Sequence, residues 1–333
     1  MARKVSFVPF FYENYLYCQN KPFGQYFMYD IIGDVHGHAD HLRSLLKKMG
    51  YVQVGECYSH PNRKAVFVGD FINRGPKIRE TLNIIRNMVE RGSAYAVLGN
   101  HELYAILYYL RDNEGKYYKK RIPKYQLQIN QTLDEFLLHK DEFKSYLKWL
   151  RTLPVYLDFG DIRVVHACWN TESVNLIKEA IAGPKLKKDI LREIALNETE
   201  FSSKFWELCK GVDFHLPKDL LVFDEEGRPH RSFRMKWWEN PQGKTFKDIS
   251  LESRFDLPAY TIPPEINHFR NRYSSDDPIV FFGHYCLKQC CGILTENLCC
   301  VDSCVSRSGK LLAYRWSGEK KLTKSNFVSS KDN

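Results

Sequence analysis

Short polar motifs at the ends of apolar runs constrain the fold of this 333-residue chain more than any other feature. The first five of six such motifs follow or close a run that is typical of a buried strand. Strand ends are where an α/β fold can gather distant side chains into one cleft. The motifs are GDVHGH at 33–38, GDFINRG at 69–75, GNHE at 99–102, VHA at 165–167, GH at 283–284 and VD at 301–302.

Strand-like and helical patterns alternate along the chain, which predicts an α/β sandwich. Several of the apolar runs have no polar face, as expected for strands that are covered on both sides. Helical periodicity places Leu42, Leu45 and Leu46 on one face of residues 39–49, and 78–89 show the same pattern. Strands are predicted at 29–32, 65–68, 94–98, 162–165, 279–282, 297–301 and 311–316, with further helices at 127–138 and 143–150.

We expect one catalytic domain, residues 28–320, with an insertion and two terminal segments. Residues 171–275 begin with a helical pattern and become irregular and proline-rich, which indicates an insertion that forms a cap or cleft wall. Residues 1–27 are an N-terminal extension without the apolar core of a signal peptide, and Met28 is an alternative start. Residues 321–333 are a C-terminal tail.

The residue types in these motifs are those needed to hydrolyse a phosphoester with two divalent cations. Two cations about 3.5–4 Å apart can deprotonate water and hold negative charge on phosphoryl oxygens. One carboxylate has to bridge them, and Asp70, after the second strand, is the expected bridge. The other expected ligands are Asp34 and His36 for one cation, and Asn100, His166 and His284 for the other.

In their order along the chain, these motifs resemble those of the calcineurin-like metallophosphoesterases, in the branch with phosphoprotein phosphatases and bacterial diadenosine tetraphosphatases. They span most of the chain, although residues 171–275 have no counterpart. The resemblance implies a metallophosphoesterase-type β-sandwich flanked by helices, with two metal ions held by the ligands above. It also implies that hydroxide held by the metals attacks phosphorus, that His101 protonates the leaving group and that Arg74 grips the phosphate. An imidazole and a planar guanidinium suit these roles.

One residue departs from the family's pattern. After the second strand that pattern is usually Gly-Asp, two residues and then Asp-Arg-Gly, but Asn73 stands here at the aspartate position. The resemblance implies that this carboxylate orients the catalytic histidine and stabilises its positive charge. Asn73 can accept a hydrogen bond but cannot balance an imidazolium charge, so we expect a lower pKa for His101 than in relatives and slower turnover of poor leaving groups. Alternatively, another carboxylate such as Glu102 takes over the task.

Other polar and aromatic residues are weaker candidates. The family usually supplies a second phosphate-binding arginine between the two later histidines, so Arg231 or Arg234 is a candidate, with a solvated basic loop as the alternative. Asp302 is expected to orient a metal ligand. His38 either borders the cleft or is structural, whereas His41 falls on a helix and is structural or solvated. Aromatic side chains between the later motifs either stack on a nucleobase or form a core: Trp206, Phe223, Phe233, Trp237 and Trp238.

The expected substrate is a small phosphomonoester or a phosphoprotein, contacted by Arg74 and Asn100. Two alternatives stay open, namely a dinucleoside polyphosphate hydrolase of the diadenosine tetraphosphatase kind and a non-catalytic metal-binding module. All six metal ligands, His101 and Arg74 are present, which favours an enzyme. Mn²⁺ is the expected metal, with Fe and Zn²⁺ as alternatives, because mixed oxygen and imidazole ligands suit all three.

Charge, hydropathy and cysteine content bear on partners and compartment. The net charge of +9 suits an anionic, phosphorylated substrate, and without an RNA-binding signature a nucleic-acid partner is not expected. No apolar stretch approaches the roughly 20 residues that cross a bilayer, so no membrane partner is expected. Six of the ten cysteines lie between 286 and 304, and none of them forms a CxxC pair, which favours core thiols over a zinc site. Free thiols in turn favour the cytoplasm as the compartment.

Overall fold

The computed structural model of the chain describes residues 28–118, 129–181, 183–218, 220–224, 227–251, 255–264, 273–287 and 292–331. The chain divides into two compact units, the first made of Met1–Cys209 with Pro278–Asn333 and the second of Lys210–Asp277. The predicted extension at 1–27 lies outside the described residues. The predicted insertion begins at 171, whereas the boundary between the units follows Cys209, and the role of the insertion as a cap stays a prediction.

Two five-stranded sheets form the frame of the first unit. The described strands are β1 (Met28–Ile32), β2 (Val52–Val54), β3 (Cys57–Ser59), β4 (Arg63–Phe67), β5 (Ala94–Ala96), β6 (Tyr156–Asp158), β7 (Ile162–Val165), β8 (Asp213–His215), β9 (Val222–Phe223), β10 (Pro229–His230), β11 (Ser232–Arg234), β12 (Ile279–Phe282), β13 (Gly292–Thr295), β14 (Leu298–Cys300), β15 (Leu312–Trp316) and β16 (Phe327–Ser329). The sheet orders are β16-β15-β1-β4-β5 and β13-β14-β12-β7-β6. Strands β1, β4 and β5 are parallel, as are β7, β12 and β14. All seven predicted strands are therefore confirmed, with ends that shift by up to two residues.

The helices lie between these strands in the sequence. They are α1 (Ala39–Lys48), α2 (Ile78–Glu90), α3 (Asn100–Tyr109), α4 (Asn130–Glu135), α5 (Lys140–Leu150), α6 (Thr171–Ala180), α7 (Lys188–Leu196), α8 (Glu200–Lys210), α9 (Phe246–Ile249) and α10 (Val305–Ser308), with a 3₁₀ turn at Lys324–Asn326. In α1 the predicted apolar face is buried. Within the described part of the chain, no helix has both the length and the apolar character needed to span a membrane.

The hydrophobic core of the first unit lies between its two sheets. Tyr29 and Ile31 of β1 alternate with Asp30 and Ile32, because successive side chains of a strand point to opposite faces, and the first pair enters this core. The facing sheet contributes Ile162, Val164, Ile279, Phe281 and Cys299. The predicted α/β fold, with a β-sandwich accompanied by helices, is confirmed.

On the other face of β1, the fully buried Asp30 is paired with two arginines. Asp30 Oδ1 lies 2.8 Å from Arg63 Nε and 3.1 Å from Arg315 Nε. Through Nη2, Arg63 also donates to the carbonyl oxygens of Tyr29 and Trp316, at 3.0 and 2.8 Å. One guanidinium on β4 therefore holds β1 and β15 in place.

Replacing Arg63 with lysine is expected to lower the free energy of unfolding by about 2 kcal/mol, because an ammonium cannot reproduce the planar fork of donors. Chemical denaturation of the two proteins measures the difference. Arg86→Lys is the matched control, since Arg86 pairs with Glu90 at 2.8 Å on a partly exposed helix face, and this change should cost less than about 1 kcal/mol. Equal losses in the two variants would contradict a special role for Arg63.

The second unit has a small core of its own. Strand β8 pairs with β11, and β9 with β10, both antiparallel. Phe214 stacks on Phe233 with 5.2 Å between ring centroids, and Phe246 and Ile249 of α9 are fully buried in the same cluster. Five aromatic residues were predicted either to stack on a nucleobase or to form a core. Of these, Phe233 belongs to a core, whereas Phe223 is exposed.

The prediction of core thiols is correct only in part. Cys286 and Cys304 form a disulfide, which joins the loop after β12 to the start of α10, and the prediction was wrong for these two. The free, buried cysteines are Cys57, Cys168, Cys209, Cys299 and Cys300. Cys18, Cys290 and Cys291 lie outside the described residues.

Candidate metal centre

The polar motifs meet at the carboxyl ends of the parallel strands of both sheets. Because parallel strands of one sheet end at the same edge, residues that are distant in the sequence become neighbours there. Most of these side chains are buried, with His284 half-buried. Asp34 and His36 follow β1, Asp70 follows β4, Asn100 follows β5 and begins α3, His166 follows β7, and His284 follows β12.

Asp70, His36 and His101 form a first group whose ligand atoms all lie within 4.8 Å of one another. Asp70 Oδ2 is 3.6 Å from His36 Nε2 and 3.9 Å from His101 Nε2. His36 Nδ1 donates to the carbonyl oxygen of Ile72 at 3.0 Å, which leaves the lone pair on Nε2. Within the described ranges, this buried Nε2 has no hydrogen-bond partner, as expected for an atom that binds a cation.

Asp70, His166 and His284 form a second group with the same spacing. His166 Nε2 is 3.4 Å from Asp70 Oδ1 and 3.0 Å from Asn100 Oδ1, and His284 Nδ1 is 2.9 Å from the same amide oxygen. His166 Nδ1 donates to the carbonyl oxygen of Val68 at 2.7 Å, which directs Nε2 toward Asp70. The two oxygens of Asp70 thus face two separate groups, the arrangement that a bridging ligand requires.

Burial and the buried carboxylates shift the pKa values of the histidines in this pocket in opposite directions. Burial acts to lower the pKa of His166, but Asp70 and Asp34 raise it to about 10. Burial lowers the pKa of His36 to about 3, with Asp70 opposing the shift. Burial acts to raise the pKa of Asp70, yet His166 and His101 hold it well below its usual range. Buried carboxylate, amide and imidazole groups of this kind are ligands that suit a divalent first-row cation.

Asp34 is tied to the loop that carries His284. Its carboxylate accepts the backbone N–H of His284, at 3.0 Å to Oδ2 and 3.3 Å to Oδ1. Burial, and next the charge of Asp302, raise the pKa of Asp34 well above its usual range. Asp34 is in neither group of three, whereas His101, which is not among the expected ligands, is in the first group. The role of Asp34 as a ligand therefore stays a prediction.

Several candidate residues have a left-handed backbone conformation, which residues other than glycine rarely adopt. Each such residue costs about 1–3 kcal/mol and persists only where the surrounding structure enforces it. Hydrophobic periodicity does not report on this conformation, so it was not predicted from the sequence. The φ angles are 44° at His36, 53° at Asp70, 66° at Asn73, 67° at Arg74 and 64° at His284.

Glycines before the candidate ligands permit close approach of side chains. A Cβ on Gly99 would lie 2.3 Å from Asp70 Oδ1, and one on Gly283 would lie 2.0 Å from Asp34 Oδ1. Gly33 is required because a Cβ at this position would lie 2.1 Å from the carbonyl oxygen of Val301.

Glu102 holds the backbone of the loop that carries Asp70. Its Oε2 accepts the N–H of Asp70 at 2.8 Å and of Gly99 at 3.2 Å, and its Oε1 accepts those of Phe71 and Ile72 at 2.8 and 3.2 Å. Burial, together with the charge of Asp70, raises the pKa of Glu102 to about 7. The alternative that Glu102 replaces the missing aspartate beside the catalytic histidine does not fit, because both of its oxygens face these backbone donors.

Asn73 lies between His101 and helix α4. Asn73 Nδ2 is 2.7 Å from His101 Nδ1, and Asn73 Oδ1 accepts the hydroxyl hydrogen of Thr132 at 2.6 Å. Arg74 Nη2 is 3.4 Å from the other ring nitrogen, His101 Nε2. Burial lowers the pKa of His101 to about 4, with Asp70 opposing this shift and Arg74 adding to it. No motif surrounds Thr132, so its contact with Asn73 was not predicted from the sequence.

Comparison with known proteins identifies the family. The model of the family described as calcineurin-like phosphoesterase matches residues 29–197, just over half of the chain. The chain belongs to this family. It is 36% identical over 149 residues to the asymmetrical bis(5'-nucleosyl)-tetraphosphatase PrpE of Bacillus subtilis, over 42% of the chain and 57% of that relative. It is 35% identical over 137 residues to the symmetrical bis(5'-nucleosyl)-tetraphosphatase of Neisseria gonorrhoeae, over 41% of each protein.

The chain thus spans about half the length of these curated relatives. Among solved structures, the cold-active protein-tyrosine phosphatase of a Shewanella species aligns with 91% of the chain and 80% of its own length. Its TM-score is 0.47 and its identity 16%, and a likeness at this level carries no argument about function.

The remaining candidates of this calcineurin-like phosphoesterase lie outside the two ligand groups. Arg231 and Arg234 belong to the second unit, where Arg231 donates to the carbonyl oxygen of Lys218, and their contact with phosphate stays a prediction. His38 and His41 lie 3.1 Å from the hydroxyl oxygens of Ser306 and Ser330, respectively. Asp302 Oδ1 accepts the N–H of Cys304 at 2.8 Å, and its expected role in orienting a metal ligand stays a prediction.

Proposed function

We propose that this chain is a dinuclear-metal phosphoester hydrolase that acts on small phosphomonoesters or phosphoproteins. The observation that carries the proposal is the placement of Asp70, whose two carboxylate oxygens face two separate groups of imidazoles. The buried Nε2 of His36, without a hydrogen bond in the described residues, supports a cation on that side.

The side chains around Asp70 would divide the chemistry between them. Two divalent cations supply a nucleophilic water at neutral pH and offset charge on the phosphoryl oxygens. Asp34 and His36 would hold one cation, and Asn100, His166 and His284 the other. Arg74 is exposed at the rim of the first group, where its fork of donors suits phosphate oxygens. His101, beside Arg74, would face the leaving oxygen as a donor.

The proposed metals are Mn²⁺, with Fe or Zn²⁺ as alternatives, because the donors are oxygen and imidazole nitrogen without a thiolate. Neither nucleic acid nor a membrane is proposed as a partner. The cytoplasm is the proposed compartment because five buried cysteines are free, although the Cys286–Cys304 disulfide is of a kind that is rare in a reducing compartment. A second candidate function, hydrolysis of a dinucleoside polyphosphate, is favoured by the names of the two relatives above. Both substrate classes are anionic, which suits the net charge of +9.

Removal of metal is expected to abolish hydrolysis, and Mn²⁺ should restore it. The chain is treated with a chelator, dialysed and assayed with p-nitrophenyl phosphate, a phosphopeptide and diadenosine tetraphosphate, before and after Mn²⁺ is added. The His36→Ala variant should lose activity by at least about 100-fold, since each tenfold corresponds to about 1.4 kcal/mol of transition-state stabilisation.

The matched control is His41→Ala, because His41 lies on α1 and contacts Ser330 instead of the ligand groups. This variant should retain activity. Preference for diadenosine tetraphosphate over the other two substrates would select the second candidate function. Absence of hydrolysis with all three substrates and Mn²⁺, Fe²⁺ or Zn²⁺ would contradict both and support a non-catalytic metal-binding module.

A further inference from the structure

The side-chain amide of Asn73 has a defined orientation. Its contact with Thr132 Oγ1 measures 2.6 Å, which falls within the range of O–H···O hydrogen bonds, about 2.5–3.0 Å, and below that of N–H···O bonds, about 2.7–3.2 Å. The amide oxygen therefore faces Thr132. The amide nitrogen then faces His101, 2.7 Å from Nδ1. Asn73 and Thr132 are both buried, so water does not compete for these contacts.

This orientation determines which ring nitrogen of His101 carries the proton. A neutral imidazole has one N–H and one lone pair, and an amide NH₂ can only donate. Nδ1 must therefore accept from Asn73, and the proton lies on Nε2. That nitrogen faces the metal centre, 3.9 Å from Asp70 Oδ2. Arg74 Nη2 lies 3.4 Å from Nε2, but a guanidinium cannot accept a proton, so the shorter 2.7 Å contact of Nδ1 with Asn73 decides the tautomer.

We propose that Thr132 is a positioning residue that acts through the amide of Asn73 and holds neutral His101 with its proton on Nε2. The part of this inference that concerns catalysis rests on the proposed function above. An aspartate at position 73 would do the opposite, because a carboxylate accepts and would draw the proton to Nδ1.

Helix α4 is fixed to the same loop by a second set of hydrogen bonds. Glu135, one turn after Thr132, accepts the backbone N–H of Ile78 at 2.8 Å and of Arg79 at 2.7 Å. The donors lie at the start of α2, a few residues after Asn73. Because α4 is anchored in this way, the hydroxyl of Thr132 is held against Asn73.

The consequence for catalysis is a preference among leaving groups. With the proton on Nε2, neutral His101 donates a hydrogen bond to the leaving oxygen, but a neutral imidazole is a far weaker acid than an imidazolium. Substrates whose leaving group departs as a stable anion, such as aryl phosphates, are therefore favoured over alkyl phosphates. Thr132 sets this preference without touching the substrate.

The direct test is ¹⁵N NMR of the full-length chain with labelled histidine, loaded with diamagnetic Zn²⁺. The signals of His101 are assigned by their loss in His101→Gln. In wild type, Nε2 should have the shift of a protonated ring nitrogen and Nδ1 that of an unprotonated one. In Thr132→Val the amide is free to rotate, and the two shifts should move toward each other or exchange. Thr132→Ser, which keeps the hydroxyl, should restore the wild-type spectrum.

Enzyme kinetics provides the second readout. In Asn73→Asp, the ratio of kcat/KM for p-nitrophenyl phosphate to that for an alkyl phosphate should fall by about 10-fold, within the range attributed to general acid catalysis. Thr132→Val should change the same ratio in the same direction.

The proposal would be overturned if the wild-type spectrum placed the proton on Nδ1. It would also be overturned if the spectra of Thr132→Val and wild type coincided. These spectra do not depend on activity. If the chain hydrolyses none of the phosphoesters, the proposed function fails while the spectra still decide the position of the proton.

Discussion

The Asp70→Asn variant is expected to lose at least about 1,000-fold in kcat/KM, because metal charge supplies several kcal/mol and each tenfold in rate is about 1.4 kcal/mol. Both oxygens of Asp70 face imidazoles, Oδ2 toward His36 and Oδ1 toward His166. An amide has one acceptor oxygen and a donor group in place of the other, so asparagine cannot bridge two cations. The variant should also bind fewer than two equivalents of Mn²⁺, which elemental analysis after gel filtration measures.

Asp158→Asn is the matched control for the loss of one carboxylate. Asp158 lies at the end of β6, is partly exposed and pairs with Arg163 at 3.2 Å. Exposed pairs of this kind contribute little to stability, and activity and metal content should both stay at the wild-type level. An Asp70→Asn protein with full activity and two bound metals would contradict the assignment of Asp70 as the bridge.

The Glu102→Gln variant is expected to bind Mn²⁺ about 10- to 100-fold more weakly, the usual effect of losing a residue that orients a ligand. Its free energy of unfolding should also fall by about 1–3 kcal/mol, since buried donors lose their acceptor. Each oxygen of Glu102 accepts two backbone N–H groups, among them that of Asp70. The NH₂ of glutamine would place a donor against two of these donors. Titration calorimetry and chemical denaturation measure the two effects.

Glu142→Gln is the matched control, which shows whether the effects of Glu102→Gln are specific to Glu102 or follow from the loss of a carboxylate elsewhere in the chain. Glu142 is partly exposed on α5 and pairs with Arg79 at 2.8 Å. Its replacement should leave Mn²⁺ affinity unchanged and stability within about 1 kcal/mol. If Glu102→Gln behaved like this control, the carboxylate would not be what positions the loop of Asp70.

The fold could be predicted from the sequence because its strands are buried apolar runs. All seven predicted strands are present with small shifts at their ends. In β1, the side chains of Tyr29 and Ile31 enter the core between the sheets, and those of Asp30 and Ile32 point to the other face. Nine of the described strands were missed, namely β2, β3, β6, β8 to β11, β13 and β16. They contain two to four residues each, too few to show a period.

Some residues of the candidate site could likewise be predicted from the sequence, and others could not. Residues that follow strand ends, such as Asp70 and His166, could be predicted to meet because parallel strands bring their carboxyl ends to one edge. Thr132 could not, since it lies on a short helix and its contact with Asn73 depends on tertiary packing. Two further features also depend on the final fold. Glu102 accepts hydrogen bonds from backbone N–H groups, and five candidate residues have a left-handed backbone conformation. Side-chain chemistry was therefore predictable, whereas the interactions that orient it were not.

Anomalous diffraction from crystals of the full chain grown with Mn²⁺ tests the central claim most directly. Data recorded on both sides of the manganese absorption edge should give two peaks about 3.5–4 Å apart, one beside His36 and the other beside His166 and His284, with the carboxylate of Asp70 between them. A single peak, or two peaks that do not share Asp70 as a ligand, would contradict it.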